Sequence, residues 1–146
     1  DRIKELGRSL SERILNRQSG LIGLTGVTSN LAEVIAQAES GDADCMLAFE
    51  VYANRVRHYL GAYLWRLNGA DAIVFTDGIG TSSWQLREKV CSHVEKLGVK
   101  LDRDANRTAV PEGVTWVQAR DSKVKILVLP TDEERVILEE VRAHIK

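Results

Sequence analysis

Cysteine, proline and aromatic residues are scarce in this chain, with two cysteines, two prolines and 5% Phe, Trp and Tyr. Cys45 and Cys91 alone cannot build a disulfide framework, and they show no metal-ligand spacing. Buried free thiols in a reducing compartment are expected ahead of a disulfide. A charge of one sign is missing too. Twenty Lys and Arg face 21 Asp and Glu, leaving a formal net charge of −1 with no local basic cluster. That excludes the concentrated basic field on which nucleic-acid and membrane-surface proteins depend. No apolar run approaches the roughly 18 residues that cross a bilayer. No secretory signal opens the chain, which begins at Asp1 without an initiator methionine; a cytoplasmic location is the expectation.

What is present is the mixture of a folded globular protein, 44% hydrophobic and 28% charged over 146 residues, the size of one domain. No repeat, low-complexity tract or long linker divides residues 1–146, so a single domain is expected. Ile3, Leu6, Leu10 and Ile14 form a helical stripe over Asp1 to Arg17. Gly20 to Gly26 is too glycine-rich for a helix and reads as a turn or an irregular extended piece. Asn30 with Glu33 three residues later marks the start of a short helix reaching about Ser40. From Gly41 to Asn68, Cys45, Phe49, Tyr52, Val56, Tyr59, Tyr63 and Leu67 recur at helical steps. Met46, Leu60 and Leu64 widen that stripe, as in a helix packed on more than one side.

Asp71 to Thr76 is a short apolar run before a glycine turn, the pattern of a buried parallel strand. Asp77-Gly78-Ile79-Gly80 is the turn. Ser82 with Gln85 forms a capping box for a helix to about Gly98, burying Leu86, Val90, Val94 and Leu97. Leu101 to Gly113 is polar and mostly irregular. Val114 to Gln118 and Lys123 to Leu129 read as two further strands, hinged by Arg120-Asp121-Ser122, and Pro130 stops the second. Thr131 with Glu134 opens a last helix with Ile137, Val141 and Ile145 on one face. The class is α/β, a thin sheet with much helix, and so few strands imply that sheet partners lie outside this chain.

Two places carry chemistry. Glycines at the carboxyl end of a parallel strand let backbone approach a ligand, and the helix that follows presents unpaired N–H groups to an anion. A tight connection requiring positive φ is the competing explanation of Gly78 and Gly80. The second place is Pro130-Thr131-Asp132-Glu133-Glu134. Carboxylates there suit a hydrated Mg²⁺ that also touches phosphate oxygens, or they simply complement the helix dipole. Thr81, Ser82 and Ser83 have no His–Asp arrangement beside them and read as caps, not nucleophiles.

Five ordered segments together carry a more specific signal. They are Ser19 to Ser29, Tyr52 to Tyr63, Asp71 to Gly80, Leu86-Arg87-Glu88-Lys89-Val90-Cys91 and Val128 to Glu134. In order and spacing this set resembles the acetate kinase family from about Arg13 to the end.

The resemblance implies a partial ribonuclease H-like lobe of the actin-like ATPase superfamily, with a thin mixed sheet and flanking helices. It implies the carboxy-terminal, nucleotide-binding part of a short-chain carboxylate kinase that transfers phosphate between ATP and acetate with Mg²⁺. Asp77, Gly78, Ile79, Gly80, Thr81 and Ser82 would form the nucleotide loop, Asn30, Leu31 and Ala32 the adenine edge, and Glu133 the magnesium contact. The implied partners are an amino-terminal lobe, a second copy in a homodimer, and acetate or a similar short acid. The family's catalytic Asn, Arg, His and Asp belong to its amino-terminal portion, so no catalytic residue is assigned and the chain alone is not expected to catalyse.

The chain departs from the family's pattern at the pocket. Asp77 stands where the family has Ala or Gly, Thr81-Ser82 where it has Glu-Asn, and Asn30-Leu31-Ala32 where it has Asp-x-Arg. Those departures define the alternative expectation, a non-catalytic relative with a degenerate nucleotide pocket that acts as a dimerisation or interaction module.

Overall fold

A computed structural model describes residues 2–110 and 113–145. The chain divides into two compact units, Asp1–Tyr63 and Leu64–Lys146.

The first unit is helical. α1 (Arg2–Arg17) follows the apolar stripe, although Leu10 and Ile14 stay exposed within the chain. α2 (Leu21–Thr25) is a short helix where a turn or extended piece was expected. Its flanking glycines explain the difference: Gly20 at φ +70 and Gly26 at φ +71 take positive φ values at the two ends, Gly26 in the left-handed C-cap conformation, leaving the interior free to coil. α3 (Leu31–Glu39) starts as expected at Asn30, whose side-chain oxygen accepts from the Ala32 N–H at 2.9 Å. Leu31, Val34 and Ile35 form its buried face.

α4 (Ala43–Arg66) is the long helix, 24 residues, or roughly 36 Å at the usual rise. Cys45, Ala48 and Ala53 are its buried residues, while Met46, Tyr59, Tyr63 and Trp65 are exposed. Packing on more than one side is therefore not met within this chain.

The second unit is built on a mixed sheet in the order β1-β3-β2. β1 (Ala72–Phe75) runs parallel to β3 (Lys125–Val128), in register from Ala72 opposite Lys125 to Phe75 opposite Val128. β2 (Thr115–Trp116) pairs antiparallel on the other side of β3. Alternation puts Ile73, Phe75, Ile126 and Val128 on one buried face with Val99, Val117 and Val124. Each such side chain contributes about 1.5–3 kcal/mol by leaving water. The thin mixed sheet with flanking helices is the class expected.

Several boundaries differ from expectation. β2 is shorter than Val114 to Gln118 because Gln118 leaves the ladder: its backbone bridges to Leu101, and its side-chain oxygen accepts the Ile126 N–H at 3.0 Å. The 77–80 turn is the start of a helix, α5 (Asp77–Ser82). The helix after it, α6 (Trp84–Val90), is capped by Ser83, whose hydroxyl accepts the Leu86 N–H at 3.2 Å, and not by Ser82. It does not reach Gly98. His93 at φ +58 breaks it, a 3₁₀ turn follows at Glu95–Leu97, and Gly98 closes that turn at φ +84. Leu97 is consequently exposed and Val94 half-buried.

A helix, α7 (Arg103–Thr108), forms inside the segment read as irregular, because the Asp102 carboxylate caps it through the Asp104 and Ala105 N–H groups. The last helix, α8 (Glu133–His144), is capped by Asp132 through the Arg135 N–H and not by Thr131. Ile137, Val141 and Ile145 are exposed along it, as are Val136 and Leu138.

Candidate functional site

The two parallel strands decide where a cleft can form. Phe75 and Val128 are the last residues of β1 and β3 and lie side by side, with the Leu129 N–H donating to the Phe75 carbonyl at 2.9 Å. From there the chain leaves β1 into α5 and leaves β3 toward α8. The gap between those exits is a cleft of about 390 Å³ lined by Asp77, Gly78, Thr81, Pro130, Thr131, Asp132 and Glu134. A position beyond the carboxyl ends of adjacent parallel strands is where open α/β sheets hold ligands. The glycine segment and the acidic segment, separate candidates in the sequence, share this cleft.

The wall made by α5 is unusual for a helix of six residues. Asp77 takes the left-handed φ of +62 that a glycine was expected to take, and its Oδ1 accepts the Gly78 N–H at 2.7 Å. Gly78 and Gly80 are both helical. Gly80 is needed for space: a Cβ there would lie 3.3 Å from the Phe75 carbonyl carbon. Gly78 has nothing within 4 Å of that position. The Thr81 hydroxyl turns back to the Asp77 carbonyl at 2.8 Å, and that of Ser82 to the Gly78 carbonyl at 2.5 Å. Both therefore spend their protons inside the turn, which is no arrangement for a nucleophile.

Of the nucleotide-loop residues expected from the sequence, Asp77, Gly78 and Thr81 line the cleft; Ile79, Gly80 and Ser82 are not among the lining residues. Glu133 is the first residue of α8, and its side chain lies outside the described residues. Asn30, Leu31 and Ala32 belong to the first unit. There Asn30 caps α3, Leu31 is buried in that unit's core, and Ala32 is exposed. Glu33 secures the cap by accepting from Thr28 Oγ1 at 2.5 Å and Asn30 Nδ2 at 3.5 Å.

Among the described residues the cleft lining carries three carboxylates, Asp77, Asp132 and Glu134, and no cation. Among the described residues no three His, Cys, Asp or Glu side chains converge to hold a metal directly. A donor set of this kind fits a hydrated Mg²⁺ that shares its shell with phosphate oxygens, not an ion enclosed by protein alone.

One residue that the motif reading gave no role is central to the local structure. Arg87, 1% exposed, donates from Nη1 to the Gly80 and Thr81 carbonyls at 2.8 Å each. Its Nε reaches Asn106 Oδ1 at 2.6 Å and its Nη2 the Asn106 carbonyl at 2.8 Å. Asn106 is wholly buried and donates in turn to the Trp84 carbonyl at 2.9 Å. Burial holds the Arg87 pKa below the ordinary arginine value, the nearby Cys91 opposing the shift. The available signal was the placement of a cation at i−3 and i−4 from Val90 and Cys91, on the apolar side of α6. Around this core Arg107 stacks over the Trp84 ring at 4.8 Å, and Arg103 pairs with Glu88 at 3.0 Å.

Comparison with known proteins supplies independent evidence. The family model of the acetokinase family matches residues 3–139. An acetate kinase of Treponema denticola is 40% identical over 143 residues, covering 98% of this chain and 36% of the relative. Among solved structures, the acetate kinase of Entamoeba histolytica aligns with a TM-score of 0.85 at 32% identity, covering 98% of this chain and 38% of the other. A propionate kinase of Francisella tularensis aligns at 0.77 and 32% identity, over 88% and 32% of the two chains. The fold is that of these kinases, the actin-like ATPase fold. The chain spans about a third of the length of the relatives it matches.

Proposed function

The chain belongs to the acetokinase family, and from that premise we propose that it is the carboxy-terminal, nucleotide-facing portion of a short-chain carboxylate kinase. The reaction is transfer of the terminal phosphoryl group of ATP to acetate or a close homologue, giving an acyl phosphate and ADP. The observation that carries this reading is the cleft at the carboxyl ends of β1 and β3. It joins the Asp77–Thr81 wall to the Pro130–Glu134 segment in a member of this family.

The proposed division of labour follows from what the chain has and lacks. Phosphoryl transfer is catalysed by positioning and by positive charge aimed at the transferring group. Among the described residues the cleft lining holds carboxylates and no cation; in this proposal the positive charges come from the portion of the relatives' length that this chain does not span. This chain's task is to bind and orient the donor. Gly78 and Thr81 present a wall with little side chain to the nucleotide, and Gly80 keeps that wall against the end of β1. Mg²⁺, when bound with the nucleotide, neutralises phosphate charge; Glu133, with Asp132 and Glu134 beside it, would receive its hydration shell. On the α3 N-terminus, Asn30, Leu31 and Ala32 retain the adenine-edge role as a proposal.

Homodimerisation and a cytoplasmic location belong to the same proposal. The exposed apolar residues of α4 accord with the dimer; no helix among the described residues is long and apolar enough to cross a membrane. The reading of a nucleotide-free interaction module is not favoured, since the matched relatives are kinases by name. The test is hydroxamate-detected acyl phosphate formation from ATP and acetate by the complete polypeptide carrying this segment. Saturable, Mg²⁺-dependent product is expected; a folded, complete polypeptide without it refutes the reading.

A further inference from the structure

The α5 turn has little to hold it in place by itself. It is six residues long, Thr76 gives it no side-chain cap, and its first residue sits at a left-handed φ. Isolated helices of this length are unstable, so the position of the turn is decided by what grips its ends. At the far end, the carbonyls of Gly80 and Thr81 both accept from Arg87 Nη1 at 2.8 Å. The same guanidinium is fixed from behind by Asn106, through Oδ1 at 2.6 Å and the main-chain carbonyl at 2.8 Å. Asn106 is in turn anchored on the Trp84 carbonyl at 2.9 Å.

Among the described residues, the four acceptors of Arg87 are neutral. Burying a cation without a countercharge is costly, and an apolar residue at position 87 would extend the face of Leu86 and Val90 at no such cost. What the arginine adds is direction: a planar fork bonding α5 and α7 at once from α6. Gly80 and Thr81 are the carbonyls it grips, and Thr81 and Gly78 line the cleft.

We infer that Arg87, oriented by Asn106, is a positioning residue for phosphoryl transfer: it locks the carboxyl end of α5 and so fixes the cleft wall against which the donor nucleotide rests. This role rests on the kinase reading above for its chemical consequence, though not for the clamp itself. Arg87 is not among the cleft-lining residues and acts through the backbone of residues 80 and 81. Misplacement of a bound reactant by about 1 Å can slow transfer on the order of 100-fold.

The test uses the complete polypeptide with Arg87→Lys and the milder Asn106→Ser. Two measurements are read: kcat and the Michaelis constants for Mg·ATP and acetate in the hydroxamate assay, and amide hydrogen exchange across residues 72–90. Lysine keeps the charge and loses the fork. The expected result for Arg87→Lys is a kcat lowered about tenfold or more beyond any loss of folded fraction, with the Mg·ATP KM raised and the acetate KM within about twofold. Exchange should quicken at α5 while β1 stays as protected as before. Asn106→Ser should move the same quantities in the same direction by less, and it carries the test if Arg87→Lys does not fold. A fall in kcat that tracks the folded fraction, with both KM values unchanged, overturns the inference; so does unchanged exchange at α5. An unsubstituted polypeptide that forms no acyl phosphate overturns the kinase reading and, with it, the catalytic consequence. Quickened exchange in the variants would then still establish the clamp alone.

Discussion

Replacing Asn106 with alanine removes two side-chain bonds from a fully buried position. The lost Oδ1 leaves Arg87 Nε, now 2.6 Å from it, without its acceptor, and a hydrogen bond to a charged group contributes about 1.5–3 kcal/mol. The lost Nδ2 leaves the Trp84 carbonyl unpaired, at a cost of about 1–3 kcal/mol. Partial relaxation of α7 offsets some of this, so the expected destabilisation is about 3 kcal/mol, near the upper range for single substitutions. The decisive quantity is the coupling with Arg87. Once Arg87→Met has removed the guanidinium, Asn106 has only Trp84 left to lose, and Asn106→Ala should cost less by about 1.5 kcal/mol or more. Urea unfolding of the four proteins of this cycle supplies the number from the shift in midpoint at constant m. Additivity within about 0.5 kcal/mol would refute the claim that these two side chains act as one unit.

Four further substitutions have expected outcomes. Gly98→Ala should destabilise by about 2–4 kcal/mol, because its φ of +84 and a 3.0 Å approach of the new Cβ to Lys123 Cβ act together. Gly69→Ala, at φ +111 with open space around it, should lose only the strain, about 1–2 kcal/mol; equal midpoint shifts in the two variants would refute the steric argument. Asp77→Ala removes one of the cleft's three carboxylates and should lower the Mg·ATP KM of the complete polypeptide by about three- to tenfold. A raised KM would show the carboxylate helping the donor bind. Asp42 Oδ1 accepts the Cys45 N–H at 2.7 Å, and that bond leads the causes holding its carboxyl below the usual aspartate value. Its stabilisation is therefore present above the unfolded pKa of about 4 and lost as pH falls through the lower folded value. Asp42→Asn should flatten that part of the pH–stability curve, and an unchanged acid limb would contradict the assignment.

The sequence made the periodic elements legible and the terminal ones less so. The stripe over Asp1 to Arg17, the helix between Gly41 and Asn68, and the apolar runs that became β1 and β3 carry their period in their side chains. Helix starts were ambiguous wherever two capping residues stand together. Ser83 displaced Ser82 and Asp132 displaced Thr131 by one position each, because the backbone leaving a strand decides which side chain reaches the free N–H groups. The helical character of α5 was hidden by its glycines, since propensity counts Gly78 and Gly80 against a helix. Tertiary placement overrides that count: Gly80 must pack against Phe75. Joining the two acidic and glycine-rich candidates required knowing that β1 and β3 are adjacent, a pairing of distant segments that no local pattern encodes. Asn106 was invisible because its partners, Trp84 and Arg87, lie in another helix.

The most direct test of the nucleotide-facing assignment is residue-resolved hydrogen exchange on the complete polypeptide with and without Mg·ATP. The expected result is protection concentrated at residues 77–82 and 130–134. Tight Mg·ATP binding that leaves both segments unchanged, with protection elsewhere, would contradict it.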